Sequence, residues 1–151
     1  MSEMAAIQRR GSLLVGIFAV LWAGFLAGVS FLATPIKFPA PSLDLPVALD
    51  VGRVTFAALN KTEIAAAAVL LVLVFAAGRS AWNIGGAVLL AALVGIQTVW
   101  LLPLLDARVG IIISGGTPPE SSLHLFYVLA EGLKLLLLVG LGTINLWGRR
   151  P

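Results

Sequence analysis

Residues 12–33 form an apolar run without a single charged side chain. At 1.5 Å per residue this run is long enough to cross a hydrocarbon core of ~30 Å. Three more stretches have the same character, at about 51–77, 82–105 and 121–147. Across the 151 residues, 60% are hydrophobic and 11% charged, and mean hydropathy is +1.05. A soluble domain carries roughly 25% charged residues, so lipid is the expected solvent. The reading is an all-α integral membrane four-helix bundle, with residues 1–151 as one four-span domain.

The formal charge of +3 does not point to nucleic acid. Most basic residues flank the apolar stretches, and no basic stripe has interleaved aromatics. Arg9 and Arg10 precede the first span, Arg79 lies between the second and third, and Arg149 and Arg150 follow the fourth. The positive-inside rule puts these three clusters, and with them both termini, on the cytoplasmic side. Trp82 and Trp147 then mark that interface, and Trp100 lies towards the other. No A-x-A site follows the first run, which is longer than a signal peptide's apolar region, so it is expected to remain as a span.

Both outer connections have a marked composition. Residues 34–50 contain Pro35, Pro39, Pro41 and Pro46, which predicts an extended, semi-rigid loop. Residues 106–120 hold the apolar run 109–113 and then Gly115, Gly116, Thr117, Pro118 and Pro119. That run would dip into the interface, cover the bundle or serve as a plain connection.

Polar residues recur inside the second and fourth spans. Arg53, Phe56, Asn60 and Glu63 fall at offsets 0, +3, +7 and +10, and His124, Tyr127, Glu131 and Lys134 repeat those offsets. Such spacing keeps side chains on one side of a helix. Ionisable groups in an apolar span are costly and mark candidate sites. Counted from the inner ends, Asn60, Glu63, Gln97, Thr98, Glu131 and Lys134 all lie at a depth of ~20–26 Å. They form one polar layer in the outer half of the bilayer. Arg53, Arg108, His124 and Tyr127 form an outer mouth. Glu63, Lys61, Glu131 and Lys134 sum to zero charge, as a low-dielectric site requires. The expected pairs are Glu131–Lys134 along one helix and Glu63–Lys134 between helices. The shared offsets also suggest an internal repeat of helix pairs.

Other chemistry is restricted. With no cysteine there is no thiolate catalysis, Fe–S cluster or Cys-based zinc site. His124 is the sole histidine, which excludes a bis-His haem within one chain. No Gly-rich phosphate loop, G-x-S-x-G or H-E-x-x-H occurs. No metal or cofactor is expected. Gly24 and Gly28 form GxxxG, and Gly85, Gly86, Gly140 and Gly142 read similarly, as points of close helix packing or dimerisation.

Gly24-x3-Gly28 ahead of a proline loop, Gly52-Arg53-x2-Phe56, Pro103 followed by Arg108, and His124 opening the last span are similar to the transmembrane-protein-205-like family. These are small four-span membrane proteins, many of them bacterial, of unknown function. Where that family carries Asn shortly before the third-helix proline, Gln97 and Thr98 stand here. The resemblance implies a four-helix membrane fold and no defined chemistry; the expected location of this multi-pass chain is a bacterial inner membrane.

The functional expectation is binding or transport of an ion or small molecule at the polar layer, with Glu63 or Glu131 carrying a proton or pairing with a cation. Four helices are few for a complete pathway, so a homo-oligomer or larger membrane complex is expected. The alternatives are a lipid-modifying enzyme using carboxylate acid/base chemistry assisted by His124, and an accessory subunit whose polar layer is structural.

Overall fold

The computed structural model describes residues 3–78 and 80–147; Arg79, Arg149 and Arg150, on which the expected orientation partly rests, lie outside them. Four helices long and apolar enough to cross a membrane succeed one another: α1 (Ala6–Ile36), α2 (Leu45–Ala76), α3 (Ala81–Ile113) and α4 (Leu123–Trp147). Among the described residues there is no strand. The protein is a polytopic, all-helical membrane bundle.

The helices form a ring in which each packs on its neighbours in sequence and α1 closes the circle against α4. Leu21, Val72, Val99 and Leu136 are among the many large apolar side chains on the outside, as a lipid-facing surface requires. Inside, Val15, Ala19, Leu70, Val74, Ala87, Leu90, Leu138 and Leu141 form a dry core. This core fills the half of the bundle that ends at Trp82 and Trp147. Asn83 and Asn145 exchange amide hydrogen bonds of 3.0 and 2.9 Å there, tying α3 to α4.

Glycines let α1 and α4 approach closely. A Cβ on Gly142 would lie 2.6 Å from Val20 Cγ2, and one on Gly16 would lie 2.8 Å from Leu146 Cγ. Gly86 likewise accommodates Leu141. The GxxxG expectation fails in this respect. A Cβ on Gly24, Gly28, Gly85 or Gly140 would meet nothing within 4 Å, so none of these four is a point of close helix approach inside the bundle.

Three helices are longer than the sequence suggests. α2 starts at Leu45 with Pro46 in its first turn, where a missing N–H costs nothing. α3 runs through Pro103 to Ile113, so the apolar run 109–113 is helix and not loop. α1 likewise runs through Pro35 to Ile36. Proline inside a helix normally clashes with the carbonyl of the preceding turn. Here a wider π-helical segment precedes each proline, at Ala27–Ala33 in α1 and Gln97–Leu101 in α3. The residue just before each proline closes a five-residue bond: Thr34 N–H to Val29 O and Leu102 N–H to Gln97 O. Thr34 Oγ1 adds a 2.8 Å bond to Val29 O. Such π segments recur at functional sites because they reposition side chains.

Only residues 37–44 and 114–122 remain as connections at this end of the bundle. Tight turns hold the first, with Phe38 N–H bonded to Pro35 O at 3.2 Å and Ala40 N–H to Lys37 O at 3.1 Å. It is a compact cap, shorter than the extended loop its prolines suggest.

Candidate binding site

Lys134 organises the middle of the bundle. Its ammonium lies 2.6 Å from Glu63 Oε2 and 2.7 Å from Glu131 Oε1. Both expected pairs are therefore present. Lys134, Glu63, Glu131 and Gln97 are 0–1% exposed, so water does not solvate any of them. Breaking a buried pair by removing one partner costs about 3–5 kcal/mol, which sets the scale on which these contacts matter.

Glu131 is the carboxylate with more hydrogen-bond partners. Gln97 Nε2 donates to its Oε1 at 2.8 Å and Ser30 Oγ to its Oε2 at 2.7 Å. Tyr127, one turn away on α4, is buried near the same carboxylate. Ser30 and Gln97 both belong to π-helical segments, so the two irregular turns deliver one donor each to one acid. Glu63 has fewer partners: Lys134, and Trp22 Nε1 at a long 3.3 Å.

Tyr127 does not stand at the mouth. It is 2% exposed and packs edge-on against Phe56 with centroids 4.9 Å apart, beside the deep carboxylate. Its place seven residues before Lys134 on the same face explains this. The expected neutrality also fails. Lys61 is exposed, because it points about 100° away from Asn60 on the helix. The buried cluster therefore has two carboxyls and one ammonium. Gln97 Oε1 is buried without a hydrogen-bond partner among the described residues.

Asn60 and Thr98 sit between this cluster and the other end of the bundle. Asn60 Nδ2 donates to Thr98 Oγ1 at 2.9 Å, while the Thr98 hydroxyl has Val94 O as its nearest acceptor at 2.7 Å. The pair forms the floor of a cavity of about 710 Å³. Phe56, Ala57, Leu102, Pro103, Leu105 and Val109 supply apolar wall. That volume suits a small organic molecule.

Charged residues ring the opening. Arg53 bonds to Asp50 at 2.6 Å and reaches Asp106 at 3.5 Å, joining α2 to α3. His124 lines the cavity, is exposed, and makes no hydrogen bond with either deep carboxylate. Arg108, expected at the mouth, does not line the cavity, since α3 continues as helix and carries it onto another face. Lys37 takes a place that sequence reasoning left empty. Its ammonium lies over Gly52, where a Cβ would come within 2.5 Å, and 5.3 Å from the Phe38 ring. Partial burial pulls the Lys37 ammonium below the usual lysine range.

Trp22 and Ser30 were also missed. Both had a signal in the sequence. Trp22 lies near the middle of an apolar run, far from the interface where tryptophan is usual. Ser30 is a hydroxyl among apolar neighbours.

No known protein family matches this chain, and no curated protein or solved structure is detectably similar to it. The site must therefore be read from its own geometry. From the dry core outward it has four levels: apolar plug, charged cluster, Asn60–Thr98 floor and open cavity.

Proposed function

We propose that the protein binds a small molecule with an apolar body in this cavity, from the outer side of a bacterial inner membrane, and that the deep charged cluster takes part in moving or sensing it. The observation that carries this is the position of the cavity floor. Asn60 is one helical turn from Glu63, and Thr98 adjoins Gln97, so a ligand on the floor is one residue layer from the buried charges. The dry core closes the other half of the bundle, so the site is one-sided in this conformation. Transport needs either an opening of that core or a second subunit, which fits a homo-oligomer or a larger membrane complex.

Native mass spectrometry of the purified protein tests this. The wild type is expected to retain a small-molecule or lipid adduct, and Ala57→Trp, which fills the cavity, to lose it while keeping the same unfolding temperature. A wild type without an adduct, or an adduct that Ala57→Trp leaves in place, overturns the reading.

A structural role is the second reading, and one observation favours it. All four helices contribute to a single network: Trp22 and Ser30 from α1, Glu63 from α2, Gln97 from α3, Glu131 and Lys134 from α4. Helices in lipid often use such bonds as glue. Under this reading, Glu131→Gln lowers only thermal stability and leaves any bound adduct unchanged.

A further inference from the structure

The buried cluster is short of one positive charge and one hydrogen-bond donor. Glu63, Glu131 and Lys134 sum to −1 when all are ionised, and each is 0–1% exposed. Gln97, whose amide is bonded to Glu131, has its Oε1 buried with no donor. An uncompensated buried ion costs several kcal/mol, and an orphaned buried acceptor about 1–3 kcal/mol. No other charged side chain faces the cluster among the described residues. α1 offers only Trp22 and Ser30, α3 only Gln97 and Thr98, and α2 adds Asn60 to Glu63. On α4 the remaining group is Tyr127, buried near Glu131. Lys61 and Lys37 lie at the cavity and outside the cluster.

We propose that the cluster holds one exchangeable proton and that Glu63 carries it. One proton brings the sum to zero and adds one O–H donor. Its position follows from the hydrogen bonds. An ionised carboxylate only accepts, and Glu131 accepts from Lys134, Gln97 and Ser30. These three donors serve both oxygens of Glu131 as an acceptor. Glu63 has Lys134 and the long bond from Trp22, which leaves its Oε1 the poorest-served oxygen of the two acids. Glu63 is also the acid nearer the cavity in sequence, one turn beyond Asn60. In the exchange the Glu63 O–H bond breaks, its electron pair stays on the carboxylate, and water in the cavity takes the proton. Return of a proton from that water reverses the step.

The inference deepens the cavity reading and rests on it for the proton's route, but its test is separate. Infrared spectroscopy of the protein in lipid nanodiscs at neutral pH, in H₂O and D₂O, reads protonated carboxyl groups directly. The wild type is expected to show a carboxylic-acid C=O band that shifts in D₂O. Glu63→Gln and Glu131→Gln should each lose it, because each leaves one carboxylate facing one ammonium. Trp22→Phe, which removes a donor to Glu63 and keeps an aromatic side chain, should move the band to higher frequency. Ser30→Ala should leave it in place. A folded wild type with no such band overturns the proposal, as does a band that responds to Ser30→Ala and ignores Trp22→Phe, which would put the proton on Glu131. A band can persist where no cavity adduct is found, and an adduct where no band is found, so the two readings fail separately.

Discussion

Lys134 reaches across the bundle axis to set its ammonium 2.6 Å from the carboxylate of Glu63, on a helix that is not its neighbour in the ring. α2 and α4 share no extended backbone packing, so this side-chain bridge ties the two helices together. Removing the ammonium leaves two carboxyls and no cation. Lys134→Met is expected to lose about 3–5 kcal/mol of stability, read by reversible unfolding in mixed micelles. Glu131→Gln keeps the Glu63–Lys134 pair intact and should lose only about 0.5–1.5 kcal/mol, the scale of one hydrogen bond. Equal losses for the two variants would mean that the bridge is not the tie.

The glycine contacts predict a contrast between two motifs that look alike in sequence. Gly142→Val would drive a side chain into Val20, where even a Cβ is at 2.6 Å. Overpacking of this kind typically costs about 1–3 kcal/mol. Gly24→Ala and Gly28→Ala meet nothing inside the bundle, and alanine is the better helix former by about 1 kcal/mol. They should leave the monomer as stable as the wild type or more so. Thermal unfolding at low protein-to-detergent ratio separates the cases; a destabilised Gly28→Ala would show that this face has a partner outside the monomer.

The absence of native cysteine makes the cavity testable by labelling. Ala57→Cys places a thiol on the cavity wall, and a membrane-impermeant maleimide added to intact cells or inside-out vesicles should react from one side only. The same thiol in a Gly52→Leu background should react at least about tenfold more slowly, since the added isobutyl group and the displaced Lys37 would narrow the mouth; a tenfold change is about 1.4 kcal/mol in accessibility. An unchanged rate would show that the opening beside Lys37 is not the entrance.

The fold was legible because its cause is local: long apolar runs need lipid, and helices satisfy their own backbone there. The pairs around Lys134 were legible too, since offsets along one helix fix which residues share a face. What escaped was anything that depends on the rotation of one helix against another. Lys61 and Glu63 are two residues apart, yet one faces outward and the other is buried. Without that rotation the cluster looked neutral, and Tyr127 looked like part of the rim. The ends of α1 and α3 escaped for a different reason. Pro35 and Pro103 read as helix stops, and the π segments that let each helix pass its proline depend on a bond from residue i to i−5 that no local propensity signals.

Those π segments support the strongest prediction. A π turn contains one residue more than the α turn it replaces, and Val99 is the natural residue to remove, being 78% exposed with no packing to lose. Its deletion lets α3 close as a regular helix. The proline would then meet the carbonyl four residues before it, at a cost of about 3 kcal/mol or more. Pro103→Ala alone should change stability little, because the wide turn already spares the proline that clash. Combining the two changes should recover most of what the deletion loses, giving a coupling of about 2–3 kcal/mol, well above the ~0.5 kcal/mol expected of independent sites. The combined variant should fold and still lose function-related chemistry, because Gln97 and Thr98 owe their direction to the same turn. Strict additivity between the deletion and Pro103→Ala would sever the proposed link between proline, π turn and charged cluster.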